Sequence, residues 1–257
     1  FDAALEGSQP QIFKLSPDSA RPQKLGSPGT HLLSVSSKGE LAVLTGVRFL
    51  VFRLFSGTLA RMTAEGQTRP WMDDVREADW SPDGDTVAIV HVVGSTDKLE
   101  YPKDHVLYET QGYLSDLRVS PDGSRVAFME HPVKWDDRGY VKVGDREGGP
   151  PTTLAGEFWG EQGLAWSPDG ATVLFRSQRS GWINFWTIPL AGGQPRPIAP
   201  GETEQSDAGE GNDGPAEFRK ATRLEIFAGA EWIKIAISGG IADVHGDVAA
   251  GHMTRDE

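Results

Sequence analysis

The chain has 257 residues, 38% of them hydrophobic, with 31 Gly, 17 Pro and a net charge of −12, enough for one large repeat domain or two small ones. It has no Cys, which rules out disulfides, thiolate zinc sites and cysteine nucleophiles and leaves cytoplasm and periplasm equally open. The acidic balance argues for solubility and against a nucleic-acid partner, because phosphate binding needs a basic face, and no apolar run approaches the roughly 18 residues of a membrane span.

The first residues, Phe1-Asp2-Ala3-Ala4-Leu5, read like the interior of a repeat. No Met and no charged-then-apolar leader stands before them, which predicts a processed or truncated start. A worn turn follows at Val35-Ser36-Ser37-Lys38-Gly39, with the apolar stretch Leu41-Ala42-Val43-Leu44 behind it. Phe49-Leu50-Val51-Phe52-Arg53 and Gly57-Thr58-Leu59-Ala60-Arg61-Met62 then predict a second hairpin.

The turn recurs three times in sharper form. Trp80-Ser81-Pro82-Asp83-Gly84 precedes Thr86-Val87-Ala88-Ile89-Val90, and Val119-Ser120-Pro121-Asp122-Gly123 precedes Arg125-Val126-Ala127-Phe128-Met129. Trp166-Ser167-Pro168-Asp169-Gly170 precedes Thr172-Val173-Leu174-Phe175-Arg176. The copies begin at 35, 80, 119 and 166, so the period runs from 39 to 47 residues. One hairpin per period of that length is the mark of a β-propeller. The residue types serve a tight turn: Pro presets φ, Asp accepts backbone N–H bonds and Gly takes the positive φ. This is a folding device, and Trp80 and Trp166 are expected to pack between blades.

Each period carries a second hairpin and a Gly-Gly turn, Glu147-Gly148-Gly149 and Ala191-Gly192-Gly193, so four short strands make one blade. On these motifs, residues 1–200 resemble the WD40-like, TolB-type β-propeller family. The resemblance implies fold more than activity, because such propellers serve as periplasmic binding proteins and as companions of peptidase, amidohydrolase and kinase domains. The sequence predicts an all-β, partial propeller of four to five four-stranded blades, short of the six usual in that family. Open blade edges then predict a protein partner or self-association into a homo-oligomer.

Residues 201–214 are acidic and Gly-rich and read as a linker. The grammar changes at 215–257. Pro215 suits a helix start with Asp213 as candidate cap, and Phe218, Ala221, Leu224 and Ala228 follow helical spacing. Trp232-Ile233-Lys234-Ile235-Ala236-Ile237 is an apolar strand with one lysine at its centre, giving a short α/β tail. Alternation sets Lys234 opposite the three isoleucines: either it faces a barrel interior and needs a chemical partner, or it is a solvated charge guarding an edge.

Residues 213–257, through Asp213-Gly214-Pro215, Glu231-Trp232-Ile233-Lys234-Ile235 and Ser238-Gly239-Gly240, resemble the middle of an amidohydrolase-superfamily barrel of the imidazolonepropionase-like and Xaa-Pro dipeptidase group. The resemblance implies that Lys234 stands where that family's strand lysine is carboxylated and bridges two divalent metals, such as Zn. Asp243, His245 and His252 would have to complete the site. The family's His-x-His pair is missing from this sequence.

His31, His91, His105 and His131 show no ligand spacing and read as ordinary loop or strand-end residues. A calcium reading would draw on Asp79, Asp116 and Glu161 just ahead of the turns, which read more simply as loop carboxylates. No Gly-x-Ser-x-Gly elbow and no phosphate loop occurs. The sequence therefore predicts a truncated or hybrid propeller acting as a binding or assembly module without a complete catalytic site. The alternative is a metal-dependent hydrolase of amide, ester or phosphoester bonds with Lys234 as a ligand.

Overall fold

The computed structural model describes residues 1–3, 9–15, 21–51, 54–160, 162–180 and 184–198. These belong to one compact unit, Phe1–Ile198, and the unit beyond it lies outside the described residues. The linker, the predicted helix and strand, and the candidate ligands Lys234, Asp243, His245 and His252 all fall there.

The described residues are all-β. A three-stranded sheet holds β1 (Asp2–Ala3), β2 (Gln11–Lys14) and β3 (Gln23–Leu25). A seven-stranded sheet holds β4 (His31–Val35), β5 (Leu41–Val51), β6 (Leu54–Met62), β7 (Thr68–Trp80), β8 (Val87–Val93), β9 (Thr96–Glu100) and β10 (Val106–Thr110), joined in sequence order. Two four-stranded meanders complete it: β11 (Tyr113–Val119), β12 (Arg125–His131), β13 (Gly139–Asp145) and β14 (Thr152–Phe158), then β15 (Gln162–Trp166), β16 (Thr172–Ser177), β17 (Asn184–Pro189) and β18 (Arg196–Pro197).

The seven-stranded sheet is two blades sharing one strand. The first half of β7 pairs with β6, from Met62↔Thr68 to Gly57↔Val75, and the second half pairs with β8, from Val75↔His91 to Trp80↔Val87. One strand thus closes a blade and opens the next. Asp74, at φ 53°, marks the corner between the two halves. The described residues therefore form a three-stranded partial blade and four blades of four strands, as the repeat predicts.

The period of two explains the stacking. Within β12, Val126 and Phe128 enter one core with Ala88, Val90, Leu99 and Leu114. The alternate residues Ala127 and Met129 enter the next, with Leu164, Val173 and Phe175. The same division holds in β5, where Ala42 and Leu44 face one neighbour and Leu41 and Val43 the other. These stretches of the two strands are buried on both faces, so their sequences read as continuous apolar runs. Truncating a fully buried ring such as Phe128 would cost about 3–5 kcal/mol. Trp80 sits in the core between the first two full blades, and Trp166 reaches across a blade boundary to donate from Nε1 to the Arg118 carbonyl at 3.0 Å.

The Ser-Pro-Asp-Gly turns have the geometry their residues predict. Gly84, Gly123 and Gly170 lie at φ 70°, 71° and 67°, and each donates its N–H to the serine carbonyl three residues back. Asp83, Asp122 and Asp169 each accept from the serine hydroxyl and from the N–H two residues on. These bonds hold all three carboxyls below the usual range, the serine hydroxyl being the largest cause, with Asp122 at about 2.

Candidate functional site

Three inner strands, β7, β11 and β15, end in one of these turns and β4 ends in the worn copy closed by the Gly39 N–H on the Ser36 carbonyl, so each of the four blades has a turn end and an opposite end where the inner strand begins, the mouth. Contacts between blades show that the inner strands run in the same direction. Asp79, near the end of β7, accepts from Ser34 Oγ of β4 at 2.8 Å and from the Val119 N–H of β11 at 2.8 Å. One carboxylate thereby staples three successive inner strands. That is a structural task, and it answers the suggestion that Asp79 awaits a cation.

At the mouth the inner strands break their own pattern. Register shifts fall at the start of each: between Leu32 and Ser34, Val75 and Glu77, Ser115 and Arg118, and Gln162 and Leu164. Such bulges re-aim side chains at barrel and sheet rims. In β11 the bulge carries Asp116 at φ 55°, a conformation few non-glycine residues adopt.

The densest polar cluster of the described residues surrounds this bulge. His131, 1% exposed, ends β12 and lies flat on Tyr113, ring centroids 4.0 Å apart and planes 5° apart. Its Nε2 is 2.9 Å from Ser115 Oγ and its Nδ1 is 2.9 Å from the Arg138 carbonyl. Ser115 Oγ is also 2.7 Å from Asp116 Oδ2. Two glycines make room for the imidazole and its backbone. A Cβ on Gly112 would stand 1.9 Å from the His131 carbonyl oxygen, and one on Gly139 would stand 3.0 Å from His131 Nδ1.

Beside this lies a buried ion pair. Arg76 Nη2 donates to Asp97 Oδ2 and to the Leu114 carbonyl, and the Leu114 N–H donates to the same Asp97 oxygen at 2.9 Å. Both side chains are 3% exposed or less. Desolvation pushes the Asp97 carboxyl above its ordinary value, with the Arg76 charge pulling against it. The Arg76 guanidinium carbon also lies 5.5 Å from the Tyr113 ring centre.

The loop between β12 and β13 is fastened to the same cluster. Tyr113 OH donates to the Asp136 carbonyl at 2.7 Å, and Arg138 Nη2 donates to Asp136 Oδ2 at 2.7 Å. Trp135 sits in this loop at φ 68° and is 39% exposed. Outward of it, Trp159 and Phe158 are 53% and 41% exposed. Arg138 lies over Trp159 at 4.8 Å, Arg179 over Phe158 at 4.4 Å, and Lys134 over Trp135 at 5.8 Å. Blades three and four thus present a band of exposed rings and cations.

The geometry around Ser115 differs from that of a catalytic triad. Ser115 has a histidine neighbour, but it is 1% exposed, and the histidine's far nitrogen faces a backbone carbonyl where a triad would place a carboxylate. Asp116 is tied to Ser115, and Glu161 lies outside the described residues. Among the described residues no three His, Asp or Glu side chains form a group able to hold a metal. No helix there is long and apolar enough to cross a membrane. Sequence reasoning passed over Ser115 and took His131 for an ordinary strand-end residue. The signal it could have used is the polar pair Ser115-Asp116 interrupting the apolar run of an inner strand.

No protein-family model and no curated protein matches this sequence. Solved structures do match the fold. TolB from Acinetobacter baumannii aligns at 17% identity and TM-score 0.52, over 73% of this chain and 50% of that one. A putative TolB from Agrobacterium tumefaciens aligns at 21% identity and TM-score 0.52, over 70% and 65%. A propeller in a nidogen/laminin complex aligns at 9% identity and TM-score 0.52, over 74% of each chain. The chain spans half to two thirds of the length of the two TolB proteins. The likeness is one of fold, a TolB-like β-propeller.

Proposed function

We propose that this chain is a propeller-based binding module that takes an extended, carboxylate-bearing protein segment across the mouth of blades three and four. The observation that carries the reading is the band of Trp135, Phe158 and Trp159 with Lys134, Arg138 and Arg179 beside their rings. On a chain of net charge −12, a local run of three cations among exposed aromatic rings is a departure that favours an acidic partner. Trp and Arg are also the residue types that dominate binding energy at protein interfaces. A guanidinium stacked on a ring can still pair with a carboxylate, as Arg138 does with Asp136 while lying over Trp159. The nidogen/laminin structure shows this fold in a protein complex and supports the reading by analogy of fold alone.

The test is a fluorescence titration with a synthetic peptide of alternating Asp and Pro, against a Lys-Pro peptide of equal length. The acidic peptide should bind, weaken steeply with added salt, and lose about tenfold or more in affinity in Trp159→Ala and in Arg179→Ala. Equal binding of both peptides, or binding indifferent to these two substitutions, overturns the proposal.

A further inference from the structure

We propose that Asp116, Ser115 and His131 form a buried proton-holding lock that fastens the loop 132–137 at low pH and releases it as pH rises. The reasoning is a count of protons along a chain of contacts. The Arg138 carbonyl can only accept, so His131 Nδ1 carries a hydrogen. Ser115 Oγ stands 2.9 Å from His131 Nε2 and 2.7 Å from Asp116 Oδ2, and a hydroxyl has one proton to give. With a neutral imidazole and an ionised carboxylate, both neighbours are acceptors and one contact sets two lone pairs face to face. One further proton, on Nε2 or on the carboxyl, completes every link. At 1% exposure for Ser115 and His131 and 9% for Asp116, a missing link is not replaced by bulk water.

The loop is where the consequence falls. His131 precedes it, and the carbonyl that His131 Nδ1 serves belongs to Arg138, which follows it. Tyr113, stacked on the imidazole, holds the Asp136 carbonyl from within. Trp135 is kept at positive φ, a conformation that persists only while its surroundings enforce it.

The other charges around His131 are largely matched to one another. Arg76 of β7 pairs with Asp97 of β9, and Arg138 pairs with Asp136, whose carboxyl is held down by Arg138 foremost and by His131 more weakly. Lys134 lies over Trp135, and Glu130 of β12 pairs away with Lys142. Asp116 is the carboxylate joined directly to the relay. The inference stands whether or not the neighbouring band binds peptide.

Asp116→Asn tests it. The amide donates to Ser115 Oγ, the hydroxyl donates to a neutral Nε2, and the chain closes with no extra proton. Asn is also among the few residues that tolerate φ 55°, so the backbone is respected. Hydrogen-exchange protection factors for amides 133–138 should fall in the wild type as pH is raised between about 5 and 8, the range of an imidazole. In Asp116→Asn they should stay high and flat. Side-chain nitrogen NMR of wild-type His131 provides a check that does not need the variant to fold: one ring nitrogen or the relay's Asp116 carboxyl should lose a proton over the same interval. Equal pH responses in the two proteins, or a wild-type relay with unchanging protonation across the interval, overturn the lock.

Discussion

The two ends of the blades obey different rules. At the turn end, Ser81, Ser120 and Ser167 repeat one arrangement: hydroxyl to aspartate, glycine N–H to serine carbonyl, glycine at positive φ. At the mouth no two inner strands begin alike: His31 meets Asp2, Arg76 meets Asp97, Ser115 meets His131, and Gln162 meets Arg176. Each turn closes on contacts within five residues of each other in sequence, so each blade carries its own copy, and Asp79 and the Lys38–Asp85 pair tie neighbouring turn ends together. The mouth is made of side chains that meet across strands, most of them within one blade and some between blades, and each pairing is singular. A repeat protein is free to vary where its repeat is not what holds the chain together.

The comparison breaks most visibly at Arg76. Arg76→Met should cost about 3–5 kcal/mol at pH 7, because it leaves the Asp97 carboxylate buried without its counter-charge. The double variant Arg76→Met/Asp97→Leu should recover most of that loss, since an apolar pair of similar volume needs no charge compensation. Urea unfolding with an unchanged slope would report both values. A single variant as stable as the wild type would mean that the pair is not buried in solution.

A second contrast sets one glycine from each end side by side. Gly112→Ala drives a Cβ into backbone, 1.9 Å from the His131 carbonyl oxygen, and should cost about 3 kcal/mol while displacing the loop that follows. Gly123→Ala meets nothing nearer than Pro82 Cδ at 3.5 Å, so only its φ of 71° is penalised, at about 1–2 kcal/mol. The mouth variant should also lose pH-dependent protection of amides 133–138, and the turn variant should keep it. If the two glycines prove equivalent, the claim that the mouth is more crowded than the turn end fails.

The same division decides what could be read from the sequence. The turns, the strand order within a blade, and the packing of Trp80 and Trp166 were legible because each rests on neighbours in sequence or on a period of two. The continuity of β7 was not. No repeat motif marks this stretch, and Pro70 and the pair Asp73-Asp74 interrupt its apolar pattern, yet the strand runs from Thr68 to Trp80. Proline is tolerated there because this half of β7 pairs only with β6 and leaves its other edge open. The mouth was legible least of all. Ser115 and His131 are 16 residues apart and Arg76 and Leu114 are 38 apart, and no local spacing announces such pairs. Asp79 reads from the sequence as a loop carboxylate just ahead of a turn, and its partners Ser34 and Val119 lie 45 and 40 residues away. The amidohydrolase-like reading of Lys234, Asp243, His245 and His252 concerns residues outside those described.

The smallest expected effect sharpens the comparison from the turn end. Asp122 accepts from Ser120 Oγ, from the Ser124 N–H and from Ser124 Oγ, and these bonds hold its carboxyl at about 2. Its folded value lies below the ordinary 3.8, so the stabilisation is complete above that ordinary value and is lost as pH falls through about 2. The group is exposed, so solvent screening leaves about 0.5–1 kcal/mol of this in practice. Asp122→Ala should therefore be less stable than the wild type by that amount at pH 6 and indistinguishable from it below the carboxyl's titration. The proposed lock at the mouth has the opposite sign, present in acid and lost as pH rises. One carboxyl-shift titration of Asp122, run beside the His131 ring titration, would place the two ends on opposite limbs of the stability curve. A chain whose two ends weakened together, on the same limb, would have no such division of labour.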